Sequence, residues 1–268
     1  MTSPPSYLTF LVIFILGPIA CLGWLAYRRE HALWGRGPLS GVAIVVFLAV
    51  VYTTPWDNLL IAEGVWWYGD DVVAATVWHA PVGEYLFFIL QPILTALWSF
   101  QLASHHEHSA DRSLWIPRVH RAIGAICGLF IAAAGLFLLR TQSTFYLGAI
   151  LFWAGPILTI QWSFGVTYLV ALRRQLALAV TVPTLYLWIA DRVAIGLGIW
   201  HISELHTTGY AVFGLPIEEA LFFLVTNVFV VQALFLYLWL LERRDDIATL
   251  SQFFGRSSTL SGGDLDGS

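Results

Sequence analysis

Two short stretches of the sequence place a proline, a glutamate and a pair of phenylalanines in the same frame. They are Pro81–Phe88 (PVGEYLFF) and Pro216–Phe223 (PIEEALFF), and Glu219 coincides with Glu84 when the prolines are aligned. Each stretch opens a long apolar run, where a charged residue costs roughly 2.5–3.5 kcal/mol at mid-bilayer. An ionisable residue in such a run indicates function, so the two glutamates are candidates for acid–base chemistry.

An aspartate precedes each glutamate at a similar distance, Asp57 by 27 residues and Asp191 by 28. If the prolines begin helices, each glutamate lies in a first turn, where the positive helix end stabilises the carboxylate. Burial has the opposite effect and favours the neutral acid. A weakly solvated carboxyl group that keeps its proton near neutral pH is what general acid catalysis requires.

Two phenylalanines follow each glutamate by three and four residues, so one ring of each pair shares the glutamate's helix face. An aromatic wall beside an acid can stabilise a cation formed by proton transfer. Plainer explanations remain open. A first-turn glutamate can be an ordinary helix-end charge, Asp191 and Arg192 can form a structural ion pair, and Glu218 has no acidic counterpart because Gly83 stands at the matching position.

The composition is that of an integral membrane protein, with 58% hydrophobic and only 11% charged residues, against about 25% charged in soluble domains. All thirteen basic residues are arginine. The lack of lysine excludes mechanisms that need a lysine Schiff base, including a retinal pigment. No dinucleotide or phosphate-binding motif is visible, so the sequence favours acid–base chemistry over redox chemistry.

Seven apolar segments are long enough to span a bilayer, which predicts an all-α membrane protein. They lie near 7–27, 38–55, 81–102, 120–139, 145–172, 176–196 and 216–240. Eleven arginines fall on the side that follows odd-numbered helices and two, Arg140 and Arg192, on the other. This bias predicts a multi-pass cell-membrane protein with its N-terminus outside and its C-terminus in the cytoplasm.

Further echoes indicate a duplication, since Gly17-Pro18 in the first segment matches Gly155-Pro156 in the fifth. We predict a membrane domain over 1–242, in which parallel repeats of three helices, about 7–102 and about 145–240, flank a linking helix at about 120–139. Residues 243–268 are expected to form a disordered cytoplasmic tail. The histidines in 105–108 are interpreted as part of a solvated loop, and no metal site is predicted.

Three stretches resemble the membrane-integral lycopene cyclases of archaea and fungi and the two-subunit cyclases of some Gram-positive bacteria. They are Pro55–Asn58, His79–Phe88 and Pro216–Phe223. The resemblance covers about residues 5–242, and the paired Pro-x-x-Glu motif is fairly specific. In the two-subunit enzymes each half is a separate polypeptide, which agrees with the duplication.

The resemblance implies conversion of lycopene through γ-carotene to β-carotene, as a carotenoid-forming isomerase without a cofactor. The substrates would enter from the bilayer, so the implied partners are lycopene, γ-carotene and membrane lipid, with no nucleic acid. The oligomeric state stays open, a homo-oligomer included. Rival interpretations are a small transporter, a lysine-free opsin scaffold and a carotenoid hydratase that begins with the same protonation.

Carried over residue by residue, the resemblance makes Glu84 and Glu219 the main acid and base. Asp57 and Asp191 are the next catalytic candidates, as proton relay or second carboxylate, and Glu218 follows. The candidate substrate-binding residues are Trp56, Asn58, His79, Phe87, Phe88, Arg192, Phe222 and Phe223. Because Gly83 and Arg192 break the match between the halves, we do not expect each half to hold a full site.

Overall fold

The computed structural model describes residues 4–28, 36–103 and 117–260. Within these ranges seven helices are long and apolar enough to cross a membrane, as the sequence predicts. They are α1 Tyr7–Arg28, α2 Arg36–Ala62, α3 Val82–Ala103, α4 Arg118–Leu138, α5 Phe145–Ala171, α6 Arg173–Leu197 and α7 Ile217–Leu260. The histidines in 105–108 and residues 261–268 of the predicted tail lie outside the described residues.

Helix α2 runs further than the apolar pattern predicts, whereas α6 ends one residue after its predicted end. Helix α2 continues through Pro55 to Ala62, because an internal proline removes one backbone hydrogen bond and bends a helix without necessarily ending it. Helix α6 continues to Leu197, where Gly198 takes the left-handed conformation (φ 72°) that closes a helix. Asp57, which follows the predicted end of its segment, therefore lies inside α2, and Asp191 lies inside α6, as its predicted segment indicates.

Short strands, which the sequence analysis missed, connect the helices at one end of the bundle. The strands are β1 Trp66–Tyr68, β2 Thr76–Val77, β3 Ala80–Pro81, β4 Trp200–Ile202, β5 Ala211–Val212 and β6 Leu215–Pro216. Strands β2–β3 and β5–β6 form hairpins, and β1 pairs antiparallel with β4. The register of the last pair, Trp67 opposite His201, joins the loop after α2 to the loop after α6.

The two motif prolines end the hairpins and do not begin the helices. Pro81 pairs with Thr76 in β3, and Pro216 pairs with Ala211 in β6. A proline is tolerated in the terminal strand of a two-stranded hairpin because no further strand needs its missing N–H. Helices α3 and α7 accordingly start one residue later than predicted, and each motif glutamate remains in the first turn.

Helix α1 contains a five-residue π-helical stretch, Val12–Leu16. A π turn accommodates one extra residue within a helix. Tyr7 precedes Gly17 by ten residues whereas Tyr146 precedes Gly155 by nine, so the π stretch absorbs the difference. The extra residue thereby gives Tyr7 a position in α1 equivalent to that of Tyr146 in α5.

The linking helix α4 packs against α5 through glycines. A side chain at Gly128 would collide with the backbone of Thr159, and one at Gly135 with the backbone of Phe152. Such close approach of small residues is a common way for helices to associate in a bilayer.

The order of elements repeats on the two sides of α4. Helix, helix, strand, hairpin and helix occur in this order once before α4 and once after it. The parallel arrangement of the two units stays a prediction.

Helix α7 extends to Leu260, so the stretch predicted as disordered from residue 243 is helical as far as that residue. The sequence after Arg243 has no proline, and its first glycine is Gly255. Nothing in it breaks a helix that is already nucleated within the bundle.

Candidate active site

Four predicted carboxyl side chains, from four different helices, line one cavity of about 60 Å³ at the strand end of the bundle. They are Asp57 of α2, Glu84 of α3, Asp191 of α6 and Glu219 of α7. Asp57 and Asp191 are each 2% exposed and Glu219 is 6% exposed. Four carboxyl groups at such a site cannot all be ionised together, because burying unpaired like charges is very costly.

Each glutamate accepts a hydrogen bond from a tyrosine. Tyr68 Oη donates to Glu84 Oε1 at 2.7 Å, and Tyr146 Oη donates to Glu219 Oε1 at 2.8 Å. Burial and then the charge of Glu84 raise the pKa of Tyr68 well above its usual value. Its phenol therefore stays a neutral donor at physiological pH, and it fixes the orientation of the Glu84 carboxyl group.

The two aspartates are less fully paired than the glutamates. Trp200 Nε1 donates to Asp191 Oδ1 at 2.9 Å. Among the described residues, Asp57 Oδ2 and Asp191 Oδ2 are buried without a hydrogen-bond partner. A buried carboxyl oxygen in this state is unfavourable unless a proton or another polar group meets it, so both aspartates are suited to hold or pass a proton.

Aromatic rings form the rest of the wall. Trp56 stacks on Trp153 with ring centroids 4.8 Å apart and on Phe222 at 5.6 Å. Phe87 meets Phe223 edge-on at 6.0 Å. Trp56, Phe87, Phe222 and Phe223 thus line the cavity, as predicted. Their faces present negative electrostatic potential to any cation that forms there.

Five predicted residues do not line this cavity, and two of them hold loops in place. Asn58 Oδ1 accepts hydrogen bonds from the backbone N–H groups of His79 (2.8 Å) and Ala80 (3.0 Å), which anchors the β2–β3 hairpin. Glu218 Oε1 accepts hydrogen bonds from the Thr208 backbone N–H (2.7 Å) and hydroxyl (2.8 Å). The buried Glu218 therefore fastens the loop between β4 and β5.

The other three point elsewhere. His79 is exposed in the hairpin turn, and Arg192 is exposed and lies against Gly214. Phe88 lines a separate cavity between α2, α3, α5 and α7. Neighbours on a helix are rotated by about 100°, so Arg192 turns away when Asp191 turns inward. Asp191 bonds to Trp200 instead of forming the ion pair that was an open alternative.

Sequence reasoning missed Tyr7, Tyr68, Tyr146 and Trp200, which all line the cavity or contact its carboxyl groups. Tyr7 is 3% exposed, stacks on Tyr68 at 6.0 Å between ring centroids and interacts with Glu84. The signal for Tyr7 and Tyr146 was a tyrosine at the start of the first helix of each repeat. The extra π-helical residue in α1 hides the equivalence from a simple alignment.

Curated proteins share much of this sequence, although no protein-family model and no solved structure matches it. The chain is 47% identical over 238 residues to a protein named lycopene beta-cyclase from Halobacterium salinarum, a match that covers 89% of this chain and 98% of the relative. It is 38% identical over 226 residues to a bifunctional lycopene cyclase/phytoene synthase of Leptosphaeria maculans, covering 80% of this chain and 38% of that longer protein. Similarity at this level over nearly the full length places the chain in the lycopene beta-cyclase family.

Proposed function

We propose that this protein cyclises the acyclic ends of lycopene to β-ionone rings and yields β-carotene through monocyclic γ-carotene. The observation that carries the proposal is the cluster of Asp57, Glu84, Asp191 and Glu219 around one aromatic-walled cavity. The names of the relatives support the substrate, and the seven apolar helices suit a substrate that dissolves only in the bilayer.

The reaction needs one proton to enter and one to leave. An acid protonates the terminal double bond of the acyclic end and produces a tertiary cation. The nearby internal double bond attacks this cation and closes a six-membered ring, after which a base removes a ring proton. Glu84 and Glu219 act as the acid and base, with Asp57 and Asp191 beside them as proton relays. The reaction involves no net electron transfer.

The aromatic wall contributes in two ways. The faces of Trp56 and Phe222 stabilise the carbocation, and the apolar lining keeps water from capturing it before the ring closes. A cavity of about 60 Å³ has room for only a few waters. Entry of the substrate end therefore requires the ring side chains to shift outward, as binding in an apolar site commonly does.

We also propose that the cavity lies at the outer face of the cell membrane, with the N-terminus outside and the C-terminus in the cytoplasm. The arginine distribution supports this orientation. Tyr7, close to the N-terminus, lines the same cavity as the four carboxyl groups, so the start of the chain and the site share one side.

The test is pigment analysis by chromatography of lycopene-producing cells that express the protein. Wild type is expected to accumulate β-carotene, and Glu84→Gln and Glu219→Gln are expected to leave lycopene, because loss of general acid–base catalysis costs roughly 10²–10⁴-fold. Glu218→Gln is a matched control, since the amide oxygen still accepts from Thr208 and the side chain lies outside the cavity.

Two results contradict the proposal at different levels. If well-expressed wild type leaves lycopene unchanged, the activity is wrong. If wild type cyclises but the Glu84→Gln and Glu219→Gln variants do so at the same rate, the activity stands and the assigned acid and base are wrong.

A further inference from the structure

Two grooves run along the bundle below the active-site cavity. Groove one has a volume of about 450 Å³ and is bounded by α1, α3 and α6 at residues such as Gly17, Leu94 and Val182. Groove two has a volume of about 170 Å³ and is bounded by α2, α3, α5 and α7 at residues such as Leu48 and Phe229.

The grooves are counterparts in the two halves of the chain. Val182 and Leu48 are 134 residues apart, as are Asp191 and Asp57, while Leu94 and Phe229 are 135 apart, as are Glu84 and Glu219. The hydrogen bonds beside the grooves also match. Tyr186 Oη donates to the carbonyl of Phe14 at 2.7 Å, and Tyr52 Oη donates to the carbonyl of Trp153 at 2.8 Å.

One pair of matching residues makes the cavity wall differ on the sides of the two grooves. Trp56 stands between the cavity and groove two, held in a stack with Trp153 and Phe222. The residue 134 positions later is Ala190, which lines the same cavity on the side of groove one. The position that matches Trp56 therefore carries a methyl group in place of an indole ring.

The cavity and groove one are lined by neighbouring residues on two helices. On α1, Ile15 lines the cavity and Gly17 lines the groove. On α6, Ala190 lines the cavity, and Tyr186, one turn away, lines the groove.

The chemistry of the two linings also differs. The polar side-chain groups of groove one are the Tyr186 hydroxyl and the Trp98 indole N–H, which are bonded to the carbonyls of Phe14 and Leu178, and the Cys21 thiol. Groove two includes the amide side chains of Gln91 and Gln161 and the hydroxyl of Thr226. Polar groups are costly to cover with a hydrocarbon chain, so groove one suits an apolar ligand better.

We propose that groove one holds the polyene chain of the substrate while one of its ends reacts in the cavity, an inference that rests on the proposed function. The groove extends to Trp98, fourteen residues beyond Glu84 on α3, or about 21 Å along the helix. The α3 lining of the groove begins at Leu94, so the groove holds the part of the chain that lies about 15–21 Å from Glu84. Both ends of lycopene then use the same path in turn, and γ-carotene must leave and re-enter with its other end first.

A matched pair of substitutions tests this path. Val182 (39% exposed) and Leu48 (53% exposed) occupy equivalent positions and tolerate a larger side chain toward lipid. Val182→Trp is expected to lower the initial rate of lycopene consumption in membranes about tenfold or more, because small displacements of a bound substrate have large effects on rate. Leu48→Trp is expected to keep the wild-type rate.

Photo-crosslinking supplies a readout that does not depend on turnover. The two cysteines, Cys21 at groove one and Cys127 on α4, are both exposed. Each is replaced in the full chain by the photoreactive residue p-benzoylphenylalanine, and membranes that contain lycopene are irradiated. A covalent adduct with the mass of lycopene is expected at position 21, with little at position 127.

The outcomes separate the two proposals. If wild type cyclises lycopene while Leu48→Trp is impaired and Val182→Trp is not, or while adducts at positions 21 and 127 are equal, the groove assignment is overturned. If wild type does not cyclise lycopene, the proposed function fails, and the adduct at position 21 alone then shows whether groove one still binds a polyene.

Discussion

Tyr68 and Tyr146 give the two glutamates a fixed orientation. Each hydroxyl donates to one carboxyl oxygen, at 2.7 Å for Glu84 and 2.8 Å for Glu219. Glu84 also interacts with Tyr7, so in the proposed mechanism tyrosines hold both carboxyl groups in place. Catalysis by a positioned acid requires such control, because a carboxyl group that rotates freely spends little time in the reactive geometry.

Replacing either tyrosine by phenylalanine is expected to reduce turnover without unfolding the protein. Hydrogen bonds to charged groups are worth about 1.5–3 kcal/mol, which corresponds to roughly ten- to hundredfold in rate. Tyr52→Phe is the control, since Tyr52 bonds to the Trp153 carbonyl away from the carboxyl groups. The measurement is the initial rate of lycopene consumption in isolated membranes.

The raised pKa of Tyr68 sets the pH dependence of its contribution. The phenol donates only while protonated, so the loss caused by Tyr68→Phe should be constant at physiological pH and shrink only above the ordinary tyrosine value of ~10. A loss that disappears as the pH rises from about 6 to about 9 would contradict this role for the neutral phenol.

Gly83 explains why the first repeat lacks the acid that Glu218 supplies in the second. A Cβ at this position would run into the ring of Tyr7, so no side chain fits. Gly83→Ala is therefore expected to destabilise the protein by about 1–3 kcal/mol through overpacking, although alanine normally favours a helix. Thermal unfolding in detergent measures the effect. Gly23→Ala, with nothing within 4 Å of the added atom, should be neutral or slightly stabilising.

The hairpin before α7 shows how a connecting element can be strained without harm to the site. Phe213 (φ 51°) and Gly214 (φ 78°) both adopt positive φ in the turn, and Phe213 is 95% exposed. Positive φ is unusual for a bulky residue and is well tolerated by asparagine. The chain nevertheless forms the turn because glycine occupies its second position.

Phe213→Asn creates an Asn-Gly turn, the strongest short hairpin signal. It is expected to raise the midpoint of thermal unfolding and to stabilise the protein by about 0.5–1 kcal/mol, which is the scale of favourable turn substitutions. Phe213→Ala removes the same exposed ring without improving the turn and should not do so. Equal stabilisation by both variants would assign the effect to loss of the exposed ring.

The helices were predictable from the sequence to the extent that apolar runs alone define them. All seven spans were found, because the bilayer requires a minimum apolar length. The end of α2 was misplaced because Pro55 looks like a terminator, whereas the helix continues to Ala62. Strands β1 and β4 were missed because each is only three residues long and is stabilised by a partner far away in the chain.

The candidate site was predictable where chemistry and repetition coincided, as for the four carboxyl residues. That Asn58 and Arg192 do not line the cavity was not predictable, because a rotation of the helix by one residue decides which side chain faces it. The nearly uniform apolar sequence of these helices does little to fix that rotation. The tyrosine partners of the glutamates depend on the π stretch in α1 and on strand β1. Neither feature has a strong local signature.

At the scale of the whole molecule, the carboxyl cluster belongs to both halves of the chain. Tyr7, Asp57 and Glu84 come from the part before α4, and Asp191 and Glu219 come from the part after it. Strands β1 and β4 pair across the same boundary. One cavity therefore needs both halves, whereas a duplication with independent sites would leave each half with a complete set.

Dividing the chain between α3 and α4 tests this arrangement. Expressed alone in lycopene-producing cells, neither the α1–α3 fragment nor the α4–α7 fragment is expected to form cyclic pigment, because each supplies only part of the carboxyl cluster. Expressed together, they should restore β-carotene, since α3 packs against both α6 and α7, and Gln91 and Thr95 of α3 donate hydrogen bonds to Asn227 of α7. None of these contacts requires a covalent link. Immunoblots of the membrane fraction confirm that each fragment accumulates. Cyclisation by one fragment alone would instead place a complete site in that half and remove the reason for a shared cavity.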